Sequence, residues 1–318
     1  CAAPLNVVSA SSKSVIKERV GLAEALQQMK LQELAQHLAS VPVKLALVGG
    51  PVGSGLGHVC RQLGVQLTIR GMRPALLCTD DFYQEPIPDM VQPLAPQPLV
   101  KGQEPSLTAQ FDSAALVHAI RLLVAGSQGD DPVTTPCGTT IKPMGGTVVV
   151  YGTHALNQDI LAEALHGLPE DCIAKIFVEP LSQVSVDDLC RVSSRKVRIL
   201  RTLVGLSRGG RVVAGGAPPT GPVHAKRLLQ RYQELQALDE INLFPFQDYV
   251  DIFFNSSLPY DMAVLKPFAT PLLQSVPPDA PDYALAQSLL AQLAAFQAFP
   301  SDALPDSSIL WEFLGERP

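Results

Sequence analysis

The chain is expected to fold as an α/β protein: a parallel sheet flanked by helices, preceded by a helical arm and followed by a helical extension. Three observations predict this. Short apolar runs recur at 44–48, 75–78, 147–151, 173–178 and 250–254, separated by helical patterns. Near-continuous apolar runs of that length are the sequence form of strands buried on both faces. The order strand, glycine-rich turn, helix, strand across 44–78 calls for a crossover connection between parallel strands. Finally, 47% hydrophobic residues in 318, with 28 prolines, suit a sizeable core with ordered loops.

The elements follow in order. Residues 1–13 are a Ser/Ala-rich lead. Residues 14–40 carry Val15, Leu22, Leu26, Met29, Leu34 and Leu38 at helical spacing, so one or two helices are expected. The strand at 44–48 ends in Gly49 and Gly50, and 57–70 reads as the next helix. After the strand at 75–78, residues 85–105 hold six prolines and form a long loop. A helix is expected at 107–125, then a Thr/Pro/Gly-rich loop at 130–146, a β-branched strand at 147–151 and a helix at 158–165. The strand at 173–178 precedes a mostly helical stretch, 186–206. Residues 205–221 have the glycine content of a lid, and 224–238 is helical. The strand at 250–254 leads through a turn into a helix at 259–267. Residues 284–298 are expected to form an Ala/Gln/Leu helix whose apolar stripe packs on its own domain, with a partner helix as the alternative. The tail, 307–315, carries the lone tryptophan, Trp311. The expected division is an N-terminal lead and arm at 1–42, a central domain at 43–270 and a C-terminal helical extension at 271–318.

A net charge of −6 argues against nucleic acid or an anionic membrane as partner. No run of about 18 apolar residues is free of charges and turn signals, so no membrane span is expected. Six cysteines, Cys1, Cys60, Cys78, Cys137, Cys172 and Cys190, form no C-x-x-C pair, and none stands with a histidine at zinc-ligand spacing. Cys60 and Cys78 lie in apolar patterns, which suits buried, reduced thiols in a reducing compartment. No metal site is expected. Cys1, Ala2, Ala3 and Pro4 have the character of residues left after a targeting peptide is removed. An organelle is therefore expected, chloroplast stroma ahead of mitochondrion; a trimmed chain is the alternative.

The chemistry concentrates at residues 50–57, Gly-Pro-Val-Gly-Ser-Gly-Leu-Gly. A triphosphate-cradling loop reads G-x-x-x-x-G-K-[ST]. Gly50 and Gly55 keep that spacing, but Leu56 stands at the lysine position and Gly57 at the hydroxyl position. The backbone half of the device is present: Gly50, Gly53, Ser54 and Gly55 can aim N–H groups at an anion. The side-chain half is missing, so neither an ammonium nor a metal-binding hydroxyl is supplied. The implied fold class is that of P-loop nucleoside-triphosphate hydrolases. His58, just after the loop, faces either an anion or the helix surface. Residues 215–221 imitate a glycine loop but lack its strand and helix, and read as a connector.

Beyond the loop, several strings carry a family likeness. They are 242–247, Asn-Leu-Phe-Pro-Phe-Gln; 251–260, Asp-Ile-Phe-Phe-Asn-Ser-Ser-Leu-Pro-Tyr; 263–267, Ala-Val-Leu-Lys-Pro; and 307–315, Ser-Ser-Ile-Leu-Trp-Glu-Phe-Leu-Gly. Residues 176–178 and 183–188 add to them. Across 43–315 the chain resembles the uridine kinase/phosphoribulokinase group of P-loop kinases, nearest to the bacterial nucleoside kinases with a long C-terminal extension. The resemblance implies that Asp80, in Thr-Asp-Asp-Phe-Tyr at 79–83, holds the place of the general base that accepts the acceptor hydroxyl's proton. It implies that Asp112, after Phe111, holds the place of the residue contacting the nucleoside sugar. The alternative for both is a surface or capping aspartate.

The same resemblance exposes losses. Tyr151 stands where the family has a glutamate that supports Mg²⁺. Gly205 and Leu206 stand where its lid helix has Arg-Asp, and Gln236 and Ala237 replace a second arginine pair. The region 134–142 lacks the expected basic and aromatic residues. Arg198, Arg201, Arg208 and Arg211 remain near the lid as cations able to meet a phosphate, and Lys44 and Lys142 are the nearest lysines in sequence. His154 falls where the family already accepts histidine and carries no ligand assignment. Losing one preorganised charge-stabilising group costs on the order of 10²–10³ in rate, and here several go together. The expected function is therefore a non-catalytic, uridine-kinase-like scaffold or structural subunit of a larger, organellar assembly. It has protein partners, no cofactor, no nucleic acid and no membrane insertion. Two alternatives stay open: a nucleotide or anion sensor without catalysis, and an atypical kinase using ATP and Mg²⁺ on a nucleoside or other small hydroxyl compound.

Overall fold

The computed structural model describes residues 13–83, 111–126, 132–143, 145–185, 191–208 and 222–315. The strands among them are β1 (Leu45–Gly49), β2 (Ala75–Cys78), β3 (Val133–Thr134), β4 (Thr140–Ile141), β5 (Val148–Tyr151), β6 (Ile173–Glu179) and β7 (Ile252–Asn255). Five of these make one sheet in the order β2-β5-β1-β6-β7, and every neighbouring pair in it is parallel. β3 and β4 form a small antiparallel hairpin inside the region expected to be loop. The strand β1 lies mid-sheet, with Val48 in register with Tyr151 on one side and Ile176 on the other. Its C-terminal end therefore opens between the ends of two neighbours, where open α/β sheets form their crevices.

The helices are α1 (Lys13–Ser40), α2 (Leu56–Ile69), α3 (Ser113–Ala125), α4 (Gln158–Leu165), α5 (Ser194–Ser207), α6 (Pro222–Asn242), α7 (Asp261–Gln274), α8 (Tyr283–Ala294) and α9 (Trp311–Leu314). They cover both sheet faces, so strand residues of either parity are apolar. Leu45, Leu47, Val148, Val150 and Phe177 pack with Leu116 and Ile120 of α3 and Leu161 of α4. Ala46, Val48, Val149, Ile176 and Val178 belong to the larger core with Leu63 of α2, Leu203 of α5, Leu265 of α7 and Leu289 of α8. Residues 14–40 make one helix rather than two. Among the described residues no disulfide joins Cys60, Cys78, Cys137 or Cys172, and Cys60 and Cys78 are buried.

The starts of α3 and α5 differ from the expected ones, that of α4 does not, and a capping side chain stands at each. Asp112 accepts the Ala115 N–H at 2.9 Å and begins α3 at Ser113 rather than at 107; the expected first turn, 107–110, lies outside the described residues. Ser193 accepts the Lys196 N–H at 3.3 Å and begins α5 at Ser194. Asn157 caps α4 through the Asp159 and Ile160 N–H groups. Such side-chain acceptors satisfy donors that the first helical turn leaves free. Gly205 and Leu206 are the last turn of α5, not lid; 209–221 and the long loop at 85–105 lie outside the described residues. The helix α7 runs across the expected boundary at 270/271, and Phe299 and Lys266 tie the extension back to it.

At the centre sits Arg201, fully buried. Its Nη2 donates to Asp261 Oδ2 at 2.7 Å and to the Ser256 carbonyl at 3.0 Å, and its Nη1 donates to the Ser54 carbonyl at 3.4 Å. The guanidinium also lies over the Phe313 ring, 5.2 Å from its centroid. One side chain thus joins the turn after β1, the end of β7, the start of α7 and the C-terminal α9. Breaking a buried ion pair by removing one partner costs about 3–5 kcal/mol, because the other charge is left uncompensated. Arg201→Met is expected to destabilise the protein by about that amount. Arg201→Met combined with Asp261→Leu should recover a large part of it. Equilibrium urea unfolding checks both, and equal losses in the single and double variants would contradict this role.

Candidate functional site

Residues 50–55 connect β1 to α2 and, with Leu56 and Gly57, line a cleft of about 1220 Å³. The turn is tight: the Ser54 N–H donates to the Pro51 carbonyl at 2.9 Å. Gly53 and Gly55 have φ of 82° and 80°, left-handed values that favour glycine. Both also meet neighbours too close for a side chain. A Cβ on Gly53 would stand 2.5 Å from the Arg198 carbonyl, and one on Gly55 2.4 Å from Ile309 Cδ1. The turn is therefore pressed between α5 and the C-terminal segment, which gives its glycines a packing reason independent of any ligand.

Two carboxylates from distant parts of the chain reach its N–H groups. Asp239 of α6 accepts the Val52 N–H at 2.8 Å. Glu312 of α9 accepts the His58 N–H at 2.6 Å, at the N-terminus of α2, where a helix favours negative charge. Arg61 stands 3.8 Å from the same Glu312 oxygen. Arg61 and Glu312 close over Gly57: a Cβ there would lie 3.2 Å from the guanidinium and 3.3 Å from the carboxylate. Gly57, at the hydroxyl position of the expected loop pattern, is thus covered by an ion pair. Leu56, at the lysine position, packs against the core.

Around the cleft the charges are mostly negative. Asp80, Asp239, Asp306 and Glu312 line it; Arg61 is its lining arginine, and no lysine lines it among the described residues. Lys44 precedes β1, at the opposite end of that strand, beside a separate hollow formed with Met72 and Arg73. Among the described residues no group of three or more His, Cys, Asp or Glu side chains is placed to hold a metal ion.

Of the arginines expected to meet a phosphate, Arg198 and Arg201 are turned inward and Arg208 is exposed. Arg201 is buried as described above. Arg198 is buried 3.6 Å from Glu179 and over the Phe244 ring. Arg208 donates to the Leu314 carbonyl and lies over Phe268. Arg211 lies outside the described residues.

Asp80 is exposed at the cleft, in the short 3₁₀ turn after β2, and Tyr151 lines the cleft at the end of β5. Asp112 does not line it; its carboxylate caps α3. Phe111 stacks on His154 at 3.8 Å, and His154 Nε2 is hydrogen-bonded to the Tyr83 hydroxyl at 2.9 Å. These aromatic groups form a buried structural cluster in which burial pushes His154 down to about 4. His58 is half-buried. Burial, with Arg61 adding to it, pushes the imidazole down to about 4, so its main-chain N–H, and not a cationic ring, does the binding.

The sequence did not reveal Asp239 and Glu312 as parts of the site. Asp239 had a signal: it shares a helical face with Leu235 and Asn242, and an acid within such a face needs a partner. Glu312 had none, since its contact spans 254 residues. No family model matches the chain, and no curated protein matches it.

Burial pushes the Asp239 carboxyl up to about 7 from an ordinary 3.8, against the Val52 N–H and the Arg198 guanidinium, which favour its charged form. Between those values the folded state holds a proton that the unfolded state has released. Stability from this group is therefore fully present below pH 3.8 and lost as pH rises to about 7. Asp239→Asn removes the titration. The variant is expected to show a shallower fall in Tm from pH 4 to pH 7 and a higher Tm than the wild type at pH 8. Parallel pH–Tm profiles for the two proteins would contradict the assignment.

Proposed function

We propose that the chain is a catalytically degenerate, uridine-kinase-like protein with a P-loop fold, acting as a scaffold or structural subunit of a larger assembly. The observation that carries this reading is the occupancy of the glycine turn. The Val52 and His58 N–H groups are committed to Asp239 and Glu312, and among the described residues the lining sets four acidic side chains against one arginine. A triphosphate brought there meets like charge where a phosphotransferase places cations. Asp80, in the place of a general base, faces a cleft in which no lysine among the described residues is placed to position a phosphoryl donor.

The assembly half of the proposal draws on α1. Leu22, Leu26 and Met29 are 64%, 48% and 52% exposed, at i, i+4 and i+7, while Val20, Leu31, Leu34 and Leu38 of the same helix are buried. An exposed apolar stripe opposite a packed one is a feature of helices that meet a second surface. No helix among the described residues is long and apolar enough to cross a membrane.

Calorimetric titration with MgATP, UTP and uridine is expected to give no heat of binding in the micromolar range. Phosphoryl transfer to uridine or cytidine, abolished by Asp80→Ala, would overturn the non-catalytic reading. In native extract the protein should elute well above its monomer mass. The Leu22→Glu/Leu26→Glu variant should return to monomer mass with its Tm preserved; wild-type elution as a monomer would overturn the scaffold role.

A further inference from the structure

The residues from Pro305 to Gly315 fold back from the end of the described chain onto the glycine turn. Ile309 meets Gly55, Phe313 lies under Arg201, and the Trp311 indole N–H donates to the Pro305 carbonyl at 2.9 Å. Ser308 and Leu310 are fully buried. This placement brings one charged group, Glu312, to the first turn of the fourteen-residue α2. Its carboxylate takes the His58 N–H at 2.6 Å and lies 3.8 Å from Arg61. A main-chain donor at a helix N-terminus together with a guanidinium is the donor set that holds a phosphate-type oxyanion.

A second, separate observation points to a ligand. Ser54 Oγ and Thr202 Oγ1 are buried with no hydrogen-bond partner among the described residues. Both residues line the cleft beside the turn and are 1% and 4% exposed. Buried hydroxyls without partners are costly, and both flank the glycine turn: a Cβ on Gly50 would stand 2.8 Å from Ser54 Oγ, and one on Gly53 2.7 Å from Thr202 Oγ1.

Resting on the non-catalytic reading above, we propose that Glu312 is a ligand in cis. It holds the place of a phosphate-type oxyanion at the start of α2, and the segment carrying it must lose that contact before the cleft accepts a phosphate group. The class of competing ligand is a phosphate oxyanion, free or at the end of a nucleotide. Removing the Glu312 charge vacates the His58 N–H and Arg61 and lowers the repulsion that an incoming phosphate meets.

The test compares wild type, Glu312→Ala, Glu312→Gln and Glu312→Ala/Arg61→Ala, each titrated with inorganic pyrophosphate and, separately, with ATP. Binding is read by ³¹P NMR and ligand-dependent Tm. Glu312→Ala is expected to bind pyrophosphate at least tenfold more tightly than wild type, and the added Arg61→Ala change should remove that gain. Glu312→Gln keeps an acceptor for the His58 N–H but not the charge, so it gives a smaller gain and serves as the readout if the alanine variant does not fold. A gain with pyrophosphate alone identifies a free phosphate ligand; a larger gain with ATP identifies a nucleotide. Folded variants that bind no better than wild type would overturn the proposal while leaving the non-catalytic reading intact. Phosphoryl transfer by the wild type would overturn that reading instead.

Discussion

The arrangement depends on one buried guanidinium. Arg201 projects from the middle of α5 into the core and holds the Ser54 carbonyl from below, while the Ser256 hydroxyl takes the same oxygen at 2.6 Å. Asp261 supplies the compensating charge, and Phe313 covers the planar face. A cation placed so deep requires its partners, since an unpaired buried charge costs several kcal/mol by even the lower estimates. The turn after β1, the end of β7, the start of α7 and the C-terminal helix are therefore fixed relative to one another. Arg201 is thereby committed to its own chain: its polar contacts are with the underside of the turn and the start of α7.

From that constraint the electrostatics of the cleft follow. With Arg201 and Arg198 drawn inward, the groups left around the turn are chiefly acidic. Asp239 and Glu312 accept its N–H groups, so donors that suit an anion are answered from within the protein. Two unit charges of like sign about 5 Å apart repel by about 3 kcal/mol at an effective dielectric constant of about 20. A polyphosphate approaching Glu312 meets that opposition, and Asp239 adds to it as its carboxyl ionises above about pH 7. The raised pKa of Asp239 belongs to the same picture: burial beneath the turn outweighs the Val52 N–H and the Arg198 charge, which both favour the ionised carboxylate.

Much of the fold was legible because apolar runs report burial directly. Leu45, Val148 and Ile176 lie in short hydrophobic stretches that only a sheet covered on both faces explains. The turn at 50–55 was legible because glycine spacing encodes backbone geometry; Gly53 and Gly55 do adopt left-handed conformations. The starts of α3 and α5 were not, because single capping groups on Asp112 and Ser193 set them, and apolar periodicity does not register a cap. Asp80 does line the cleft, whereas Asp112 is a helix cap. The acidic partners of the turn were beyond local reading. Asp239 and Glu312 reach Val52 and His58 across 187 and 254 residues, and no local pattern carries contacts of that range. The inward direction of Arg201 was hidden for the same reason: its partner Asp261 belongs to another helix.

The most direct measurement is of the two amides themselves. Backbone resonances of Val52 and His58 can be followed by ¹H–¹⁵N NMR during titration with MgATP at neutral pH, with hydrogen exchange recorded before and after. If Asp239 and Glu312 hold these donors, both amides are protected in the free protein, and neither their shifts nor their exchange rates respond to the nucleotide. Rapid exchange in the free protein, slowed by MgATP with saturating shift changes at both residues, would show a turn open to phosphate and contradict the account.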